Sequence, residues 1–159
     1  MVERCPDKTE VDGSIPSSRT MDINNTLIKN LISLNLPSRD YAVFGSGPMF
    51  AAGIKELGHD IDLIARGKAW SIAEKLSVPK VTISGNGKVV TLFDERIEIF
   101  DNWTPGSWDI HQLIDQADII DGIKFVKLSE VLKWKKIWHR EKDIAHIKLI
   151  EQYLEKIKN

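Results

Sequence analysis

The sequence predicts an α/β fold, in which a small, mixed and twisted sheet carries helices on one face and is followed by a C-terminal pair of helices. Three observations predict it. A strand, a Gly-rich turn, a short helix and a second strand follow one another between Tyr41 and Arg66. Three β-rich runs lie between Val81 and Phe100, and helical periodicity then extends from Ser129 to Ile157. Elements in this order build a layered domain around one sheet.

The composition is that of an ordinary globular domain. The chain has 159 residues, of which 42% are hydrophobic and 28% charged, which is enough to bury one core. Its net charge of −1 gives no general field for nucleic acid, and the single Cys5 excludes an intramolecular disulfide and a cysteine zinc cluster. No apolar run is long enough to cross a membrane and no signal segment is recognisable. We therefore expect a cytoplasmic protein without a membrane partner.

Residues 1–20 are polar and lack periodicity, so we expect a disordered or non-native extension ahead of a single domain at residues 21–159. The codons of Gly13 to Pro16 can match the T-arm of a transfer RNA gene. One hypothesis is therefore read-through from such a gene, with Met21 as the biological start. Loss of activity on deleting residues 1–20 would contradict it.

The first predicted elements of the domain are a helix and a buried strand. Asp22 is placed to cap a helix over about Ile23 to Leu34, in which leucines recur on one face. The apolar run Tyr41 to Phe44 is typical of a short buried strand. Gly45-Ser46-Gly47 then predicts a flexible turn.

A short helix and a second strand follow this turn. Pro48 suits the first helical position, because its missing N–H would be unpaired there, and Gly58 is placed to end the helix in a left-handed cap. In the strand, period-two geometry puts Asp60 and Asp62 on one face and the intervening apolar residues on the other, towards a core.

Turn signals and periodicity predict the remaining elements. A helix with Trp70, Ala73 and Leu76 facing inwards precedes three strands, and Gly85-Asn86-Gly87 joins the first two in a hairpin. The helix covers Ala69–Leu76, and the strands Val81–Ser84, Val89–Phe93 and Arg96–Phe100. A loop at Asn102–Trp108 comes next, followed by a helix at Asp109–Ala117 and a strand at Ile123–Val126. Two helices complete the chain: Ser129–His139, with Ser129 as its cap, and a run to Ile157.

Asp60 and Asp62 indicate a metal site. Two like charges on alternate strand positions repel unless a cation neutralises them. A solvated strand face is the simpler explanation, but the apolar neighbours favour a central strand, where unpaired carboxylates are costly. Carboxylate oxygens suit Mg²⁺, which completes its shell with water and phosphate oxygens. Because a Gly-Ser turn that opens a helix presents N–H groups to an anion, the two features together predict a nucleoside triphosphate site.

The turn motif Phe44-Gly45-Ser46 is followed, after Gly47 to His59, by Asp60-Ile61-Asp62. This order and spacing resemble the signature of the nucleotidyltransferase superfamily typified by DNA polymerase β. That family adds a third carboxylate on a later strand, and Glu98 is the candidate here. Three acidic residues in neighbouring turns are alternatives, although turns are worse placed to hold a fixed geometry. They are Asp94, Glu95 and Asp101.

The C-terminal helices carry a second likeness. Lys135 followed by Arg140-Glu141-Lys142-Asp143 is similar to a pattern of minimal nucleotidyltransferases and of the AbiEii-type proteins of toxin–antitoxin systems. Lys135, His139, Lys142 and His146 also fall on one helical stripe, which a solvated face explains equally well. His146 departs from the family, which often has Asp at this position. The histidines are weak candidates for metal ligands.

The resemblance implies a Mg²⁺-dependent transferase that moves a nucleoside monophosphate from a triphosphate such as ATP to an acceptor. Asp60, Asp62 and Glu98 would hold two metal ions and act as the catalytic residues. Gly45 and Ser46 would bind phosphates. Lys135 and Lys142 would contact phosphate or support the sheet. Trp103 and Trp108 are candidates for stacking on a base, with core packing as the alternative.

Three functions follow from this resemblance and stay open at the level of sequence. The first is transfer to a protein or RNA acceptor, with a cognate toxin or antitoxin as partner. The second is transfer to a small molecule, such as an antibiotic. The third is a catalytically degenerate protein that binds nucleotide or a protein partner. The complete carboxylate set disfavours the third.

Overall fold

The computed structural model describes residues 25–158. In chain order, its helices are α1 (Thr26–Ser33), α2 (Gly47–Ala51), α3 (Gly67–Leu76), α4 (Ile110–Asp115), α5 (Leu128–Trp138) and α6 (Glu141–Lys158). Its strands are β1 (Tyr41–Val43), β2 (Ile61–Ala65), β3 (Lys80–Val81), β4 (Lys88–Leu92), β5 (Ile97–Phe100), β6 (Asp118–Ile120) and β7 (Ile123–Phe125). A 3₁₀ turn at Ser38–Asp40 precedes β1.

The seven strands form one mixed sheet in the order β3-β4-β5-β2-β1-β7-β6. The central strand β2 pairs antiparallel with β1 and parallel with β5. An antiparallel hairpin lies at each edge of the sheet, β3–β4 at one and β6–β7 at the other. The first confirms the hairpin predicted from Gly85-Asn86-Gly87. The mixed α/β class expected from the sequence is therefore confirmed.

Helices cover both faces of the sheet, so the expectation of helices on one face is wrong. Alternate residues of the central strands pack into two separate cores, because successive side chains of a strand point to opposite faces. Val43 and Leu63 pack with α1 and α3. Phe44 and Ile64 pack with α4, α5 and α6. By the same alternation, Asp62 belongs to the face that the C-terminal helices cover.

The helix α1 is capped by Asn25, whose side-chain oxygen accepts hydrogen bonds from the backbone N–H groups of Leu27 at 2.8 Å and Ile28 at 3.4 Å. Three buried side chains of α1, those of Leu27, Ile28 and Leu31, face the sheet. The predicted cap Asp22 and the predicted extension at residues 1–20 lie outside the described residues.

The helix α2 is shorter than predicted, and Gly58 does not end it. Gly53 has a φ of 80° and follows the last helical turn. Its N–H donates to the carbonyl of Phe50, and the N–H of Ile54 donates to the carbonyl of Met49, both at 3.0 Å. These two bonds form a Schellman cap, which stops the helix at Ala51. The apolar spacing of residues 50–57 thus continues beyond the helix in an irregular segment.

Two further helix details differ from prediction. Ser129 lies within the first turn of α5, and Lys127, which makes no side-chain cap hydrogen bond, occupies the N-cap position. In α3 the buried side chains are Ala69 and Ala73, whereas Leu76 is half exposed at the end of the helix. Periodicity identified these helices correctly but did not locate their ends or the full width of the buried face.

The edge strand β6 was not predicted. Its residues Asp118 and Ile119 are exposed, so it lacks the apolar alternation of a half-buried strand. It is defined by pairing with β7, in which Ile120 lies opposite Ile123.

Within residues 25–158, no helix combines the length and the apolar character that crossing a membrane requires.

Candidate functional site

The parallel pairing of β2 with β5 brings distant carboxylates together. Asp62 and Glu98 are direct register partners, and Asp60 lies immediately before β2. One carboxylate oxygen from each of the three residues lies within 4.8 Å of the other two. The predicted convergence of these side chains, which we call the carboxylate cluster, is confirmed.

Asp62 is the most perturbed member of the carboxylate cluster. Burial raises its pKa to about 7, with the charges of Asp60 and Glu98 as further causes, while the charge of Lys142 acts in the opposite direction. Burial and the charge of Asp60 also raise the pKa of Glu98. One Asp62 oxygen, Oδ1, is buried and has no hydrogen-bond partner among the described residues. A buried acceptor without a donor is energetically costly, which indicates that a ligand satisfies it.

The alternatives to Glu98 are placed differently. Asp94 and Glu95 are exposed in the β4–β5 turn, where both have positive φ angles. Asp101 accepts a hydrogen bond from the backbone N–H of Lys88 at 2.8 Å, which ties it to the neighbouring strand. Within residues 25–158, Asp60, Asp62 and Glu98 make up the one convergent group of metal-ligating side chains.

The turn after β1 lies against the carboxylate cluster. The N–H of Phe44 donates to the carbonyl of Asp62 at 2.9 Å and holds the turn on β2. Gly45 then adopts a φ of 64°, and a Cβ atom at this position would lie 2.9 Å from Oδ2 of Asp62. Glycine is therefore required twice here, for the left-handed backbone and for the space beside the carboxylate.

Ser46 lies directly before α2, as predicted, and is half buried. Its side chain does not cap the helix. Instead its hydroxyl oxygen accepts a hydrogen bond from the ammonium of Lys135 at 3.3 Å. This bond connects the turn to the C-terminal helices.

Lys135 is fully buried, which the solvated-face explanation of the polar stripe did not allow. Its ammonium Nζ lies 3.4 Å from Oδ1 of Asp143 and 3.1 Å from Nδ1 of His146. Burial lowers the pKa of Lys135 to about 8, although the charge of Asp143 opposes this. The sequence suggested that Lys135 contacts phosphate or supports the sheet. Its buried placement favours a supporting role, but the segment that it contacts is the turn at Ser46 and not a strand.

Asp143 is the residue that the site prediction missed. It is fully buried, and Arg140 donates to it from Nε at 2.8 Å, from its second terminal nitrogen at 3.0 Å and from its backbone N–H at 2.9 Å. Burial acts to raise the pKa of Asp143, but the Arg140 bonds and the charge of Lys135 outweigh it and lower the pKa to about 2. An Asp in the first turn of a helix, three residues after Arg140, was the available signal.

We call Ser46, Lys135, Arg140, Asp143 and His146 the lysine cluster. Lys142 lies beside it on α6 but has an exposed side chain. Its charge acts on both Asp62 and Lys135, so it stands between the two clusters. His146, one turn further along α6, is half buried, and burial together with the charge of Lys135 lowers its pKa to about 4.

The two candidate tryptophans belong to the core. Trp103 is 4% exposed and stacks on Phe44 with 4.4 Å between ring centroids. Trp108 packs edge-on against the same ring at 5.8 Å, and its indole N–H donates to the carbonyl of Pro105 at 2.9 Å. Core packing, the alternative to base stacking, is therefore confirmed for Trp103, and Trp108 is partly buried against the same core. Their role is to hold Phe44, the residue that leads into the turn.

The donor set of the carboxylate cluster fits a hard divalent cation. Its three side chains offer only oxygen atoms as ligands, as Mg²⁺ prefers: Asp60, Asp62 and Glu98. Asp60 is exposed, so the carboxylate cluster is open to solvent on that side. A cation would satisfy Oδ1 of Asp62 and remove the repulsion that raises its pKa.

Comparison of the chain with protein-family models, with curated proteins and with solved structures finds no match. The function of the site is therefore inferred from its own residues.

Proposed function

We propose that this protein is a Mg²⁺-dependent nucleotidyltransferase, which moves a nucleoside monophosphate from a nucleoside triphosphate to an acceptor and releases pyrophosphate. One arrangement, made up of three features, carries the proposal. Three carboxylates from two paired strands converge, one buried oxygen has no donor among the described residues, and a glycine turn lies against it. A metal that also ligates phosphate oxygens accounts for all three features.

Asp60, Asp62 and Glu98 would hold the metal ions, which would supply positive charge to the phosphate oxygens and help to orient the attacking and leaving groups. Glu98 would also accept the proton of the acceptor hydroxyl, because its carboxylate lies beside those of Asp60 and Asp62. The acceptor oxygen forms a bond to the α-phosphorus as the bond from that phosphorus to pyrophosphate breaks.

The turn at Gly45 and Ser46, together with the exposed Lys142, interacts with the phosphates that leave as pyrophosphate. Gly45 leaves open the space next to Asp62, and Ser46 presents its backbone at the start of α2. Lys142 offsets the charge that develops on the leaving pyrophosphate, since its side chain is exposed beside the carboxylate cluster. Lys135 acts indirectly, by holding the Ser46 hydroxyl.

The acceptor is a protein, an RNA or a small molecule, and a partner protein of toxin–antitoxin type agrees with the sequence resemblance. Incubation with each α-³²P-labelled nucleoside triphosphate, Mg²⁺ and cell lysate identifies it. Protease, RNase and filtration then assign the label to protein, RNA or small molecules.

The same incubation with Asp62→Asn is the control, and we expect no labelling from it. No labelled product with any of the four triphosphates would overturn the transferase. Tight binding of a triphosphate without transfer would instead support the alternative, a degenerate nucleotidyltransferase that acts as a binding module.

A further inference from the structure

The hydrogen bond between Lys135 and His146 determines which nitrogen of the imidazole carries its proton. A lysine ammonium has only hydrogens to give, so Nδ1 of His146, 3.1 Å from Nζ, is the acceptor. A neutral imidazole that accepts at Nδ1 is protonated at Nε2. His146 is thereby held as a donor through its other nitrogen, and no residue within 25–158 is bonded to that nitrogen.

Through its contact with Lys135, His146 and its Nε2 donor lie close to the turn after β1. The same Lys135 nitrogen lies 3.3 Å from the hydroxyl of Ser46, so His146 and Ser46 flank one buried cation. His146 is also one helical turn beyond Lys142 on α6, so both side chains lie on one face of that helix. The charge of Lys55, from the segment after α2, reaches His146 as well. Four side chains with hydrogens to donate therefore lie near one another, at the start of α2 and along α5 and α6: Ser46, Lys135, Lys142 and His146.

We propose that His146 binds the triphosphate of the nucleotide through Nε2–H, alongside Lys142. This inference rests on the proposed function and adds a phosphate-binding residue where the resembling family often has Asp. An Asp at this position would accept from Lys135 but repel a phosphate. A neutral histidine accepts from Lys135 and donates to the phosphate.

Two substitutions separate the binding role from a structural one. His146→Asn keeps an acceptor at the distance of Nδ1 and removes the donor at Nε2. His146→Gln reaches the distance of Nε2 with its amide nitrogen and loses the acceptor for Lys135. Binding of Mg²⁺-tripolyphosphate, a probe without base or sugar, is measured by titration calorimetry for each protein. His139→Asn, at an exposed cap in the left-handed conformation, serves as the control.

We expect His146→Asn to weaken tripolyphosphate binding about tenfold or more, the usual effect of a lost hydrogen bond to a charged group, and His146→Gln to weaken it much less. The reverse order, with a lowered melting temperature for His146→Gln, would show that His146 serves only to hold Lys135. Equal binding by His146→Asn and wild type would overturn the inference and leave the proposed function intact. No binding of tripolyphosphate or of any nucleoside triphosphate by wild type would overturn both.

Discussion

The carboxylate cluster and the lysine cluster are neighbouring groups of charged side chains, and they differ in how those charges are balanced. Lys135 is surrounded by three acceptors, and Asp143 accepts from Lys135 and from three nitrogens of Arg140. In the carboxylate cluster, by contrast, no lysine, arginine or histidine of the described chain makes an ion pair with any member. The buried Lys135 and Asp143 charges are paired within the protein, whereas the three carboxylates have no cationic partner among the described residues.

This difference separates architecture from function. A buried ion pair that the protein satisfies itself holds the packing in place, and breaking it leaves an uncompensated charge. A group of unbalanced carboxylates lowers the stability of the metal-free protein, and perturbed groups of this kind are frequent at binding and catalytic sites. Breaking the buried Lys135–Asp143 pair should therefore act mainly on stability, whereas substitutions in the carboxylate cluster should act mainly on activity.

The largest effect on stability is expected from Asp143→Asn. It leaves the buried ammonium of Lys135 without its counter-charge and should lower the free energy of unfolding by about 3–5 kcal/mol. Asp118→Asn is the matched control, because Asp118 pairs with Lys127 at the shorter distance of 2.7 Å but at the surface. It should cost at most about 1 kcal/mol. Urea unfolding measures both, and equal losses would show that burial does not distinguish the two pairs.

Asp62→Asn should have the largest effect on activity. Removing one of the charges that hold Mg²⁺ is expected to slow transfer on the order of 100-fold or more. Glu74→Gln, which neutralises an exposed carboxylate on α3, should leave transfer unchanged. Rates of pyrophosphate release at saturating Mg²⁺ test this, and an Asp62→Asn protein with the wild-type rate would exclude Asp62 from the catalytic residues.

Gly45→Ala should affect both quantities. Gly45 and Gly85 have positive φ angles of 64° and 80°, so alanine should cost about 1 kcal/mol of stability at each. Only at Gly45 would the new Cβ meet Asp62, 2.9 Å from Oδ2, whereas nothing lies within 4 Å at Gly85.

Gly45→Ala should therefore lose on the order of ten- to a hundredfold in transfer through misplacement of Asp62, and Gly85→Ala should lose none. Transfer assays and thermal melts on both variants make the comparison. Parallel losses of transfer would point to general destabilisation, not to crowding at the site.

The last comparison concerns how the stability difference between Asp62→Asn and wild type changes with pH. The pKa of Asp62 in the folded protein, about 7, lies above its ordinary value of 3.8, so the folded protein binds more protons between these pH values. The wild type therefore gains stability from this group as the pH falls through 7 and bears the cost of an ionised Asp62 above it.

In EDTA at pH 8, Asp62→Asn should be more stable than wild type, on the order of 1–3 kcal/mol, and this gain should vanish by about pH 4. His146 and Asp143 titrate in both proteins and cancel in the comparison, so the difference reports on Asp62 together with its partner Glu98, whose pKa depends on the contact with Asp62. Urea unfolding at the two pH values measures it. A variant that is less stable than wild type in EDTA at pH 8 would identify Asp62 as a structural residue.

Local periodicity in the sequence determined much of this protein. Alternation along residues 59–64 placed Asp60 and Asp62 on one face of a strand, and Gly85-Asn86-Gly87 predicted the β3–β4 hairpin. The turn at residues 45–47 and the helices after it followed from glycine, proline and apolar spacing. These features depend on neighbours a few residues apart, and the backbone geometry of a single helix or strand is sufficient to predict them.

The tertiary structure alone decided which distant residues meet. Glu98 joins Asp62 because β5 pairs with β2 in parallel and in a particular register. Lys135 is buried because α5 and α6 pack over the sheet face that carries Ser46, which turns a stripe that looked solvated into the lysine cluster. Pairing and burial depend on contacts between segments far apart in the chain, and periodicity records the direction of a side chain but not the partner it meets.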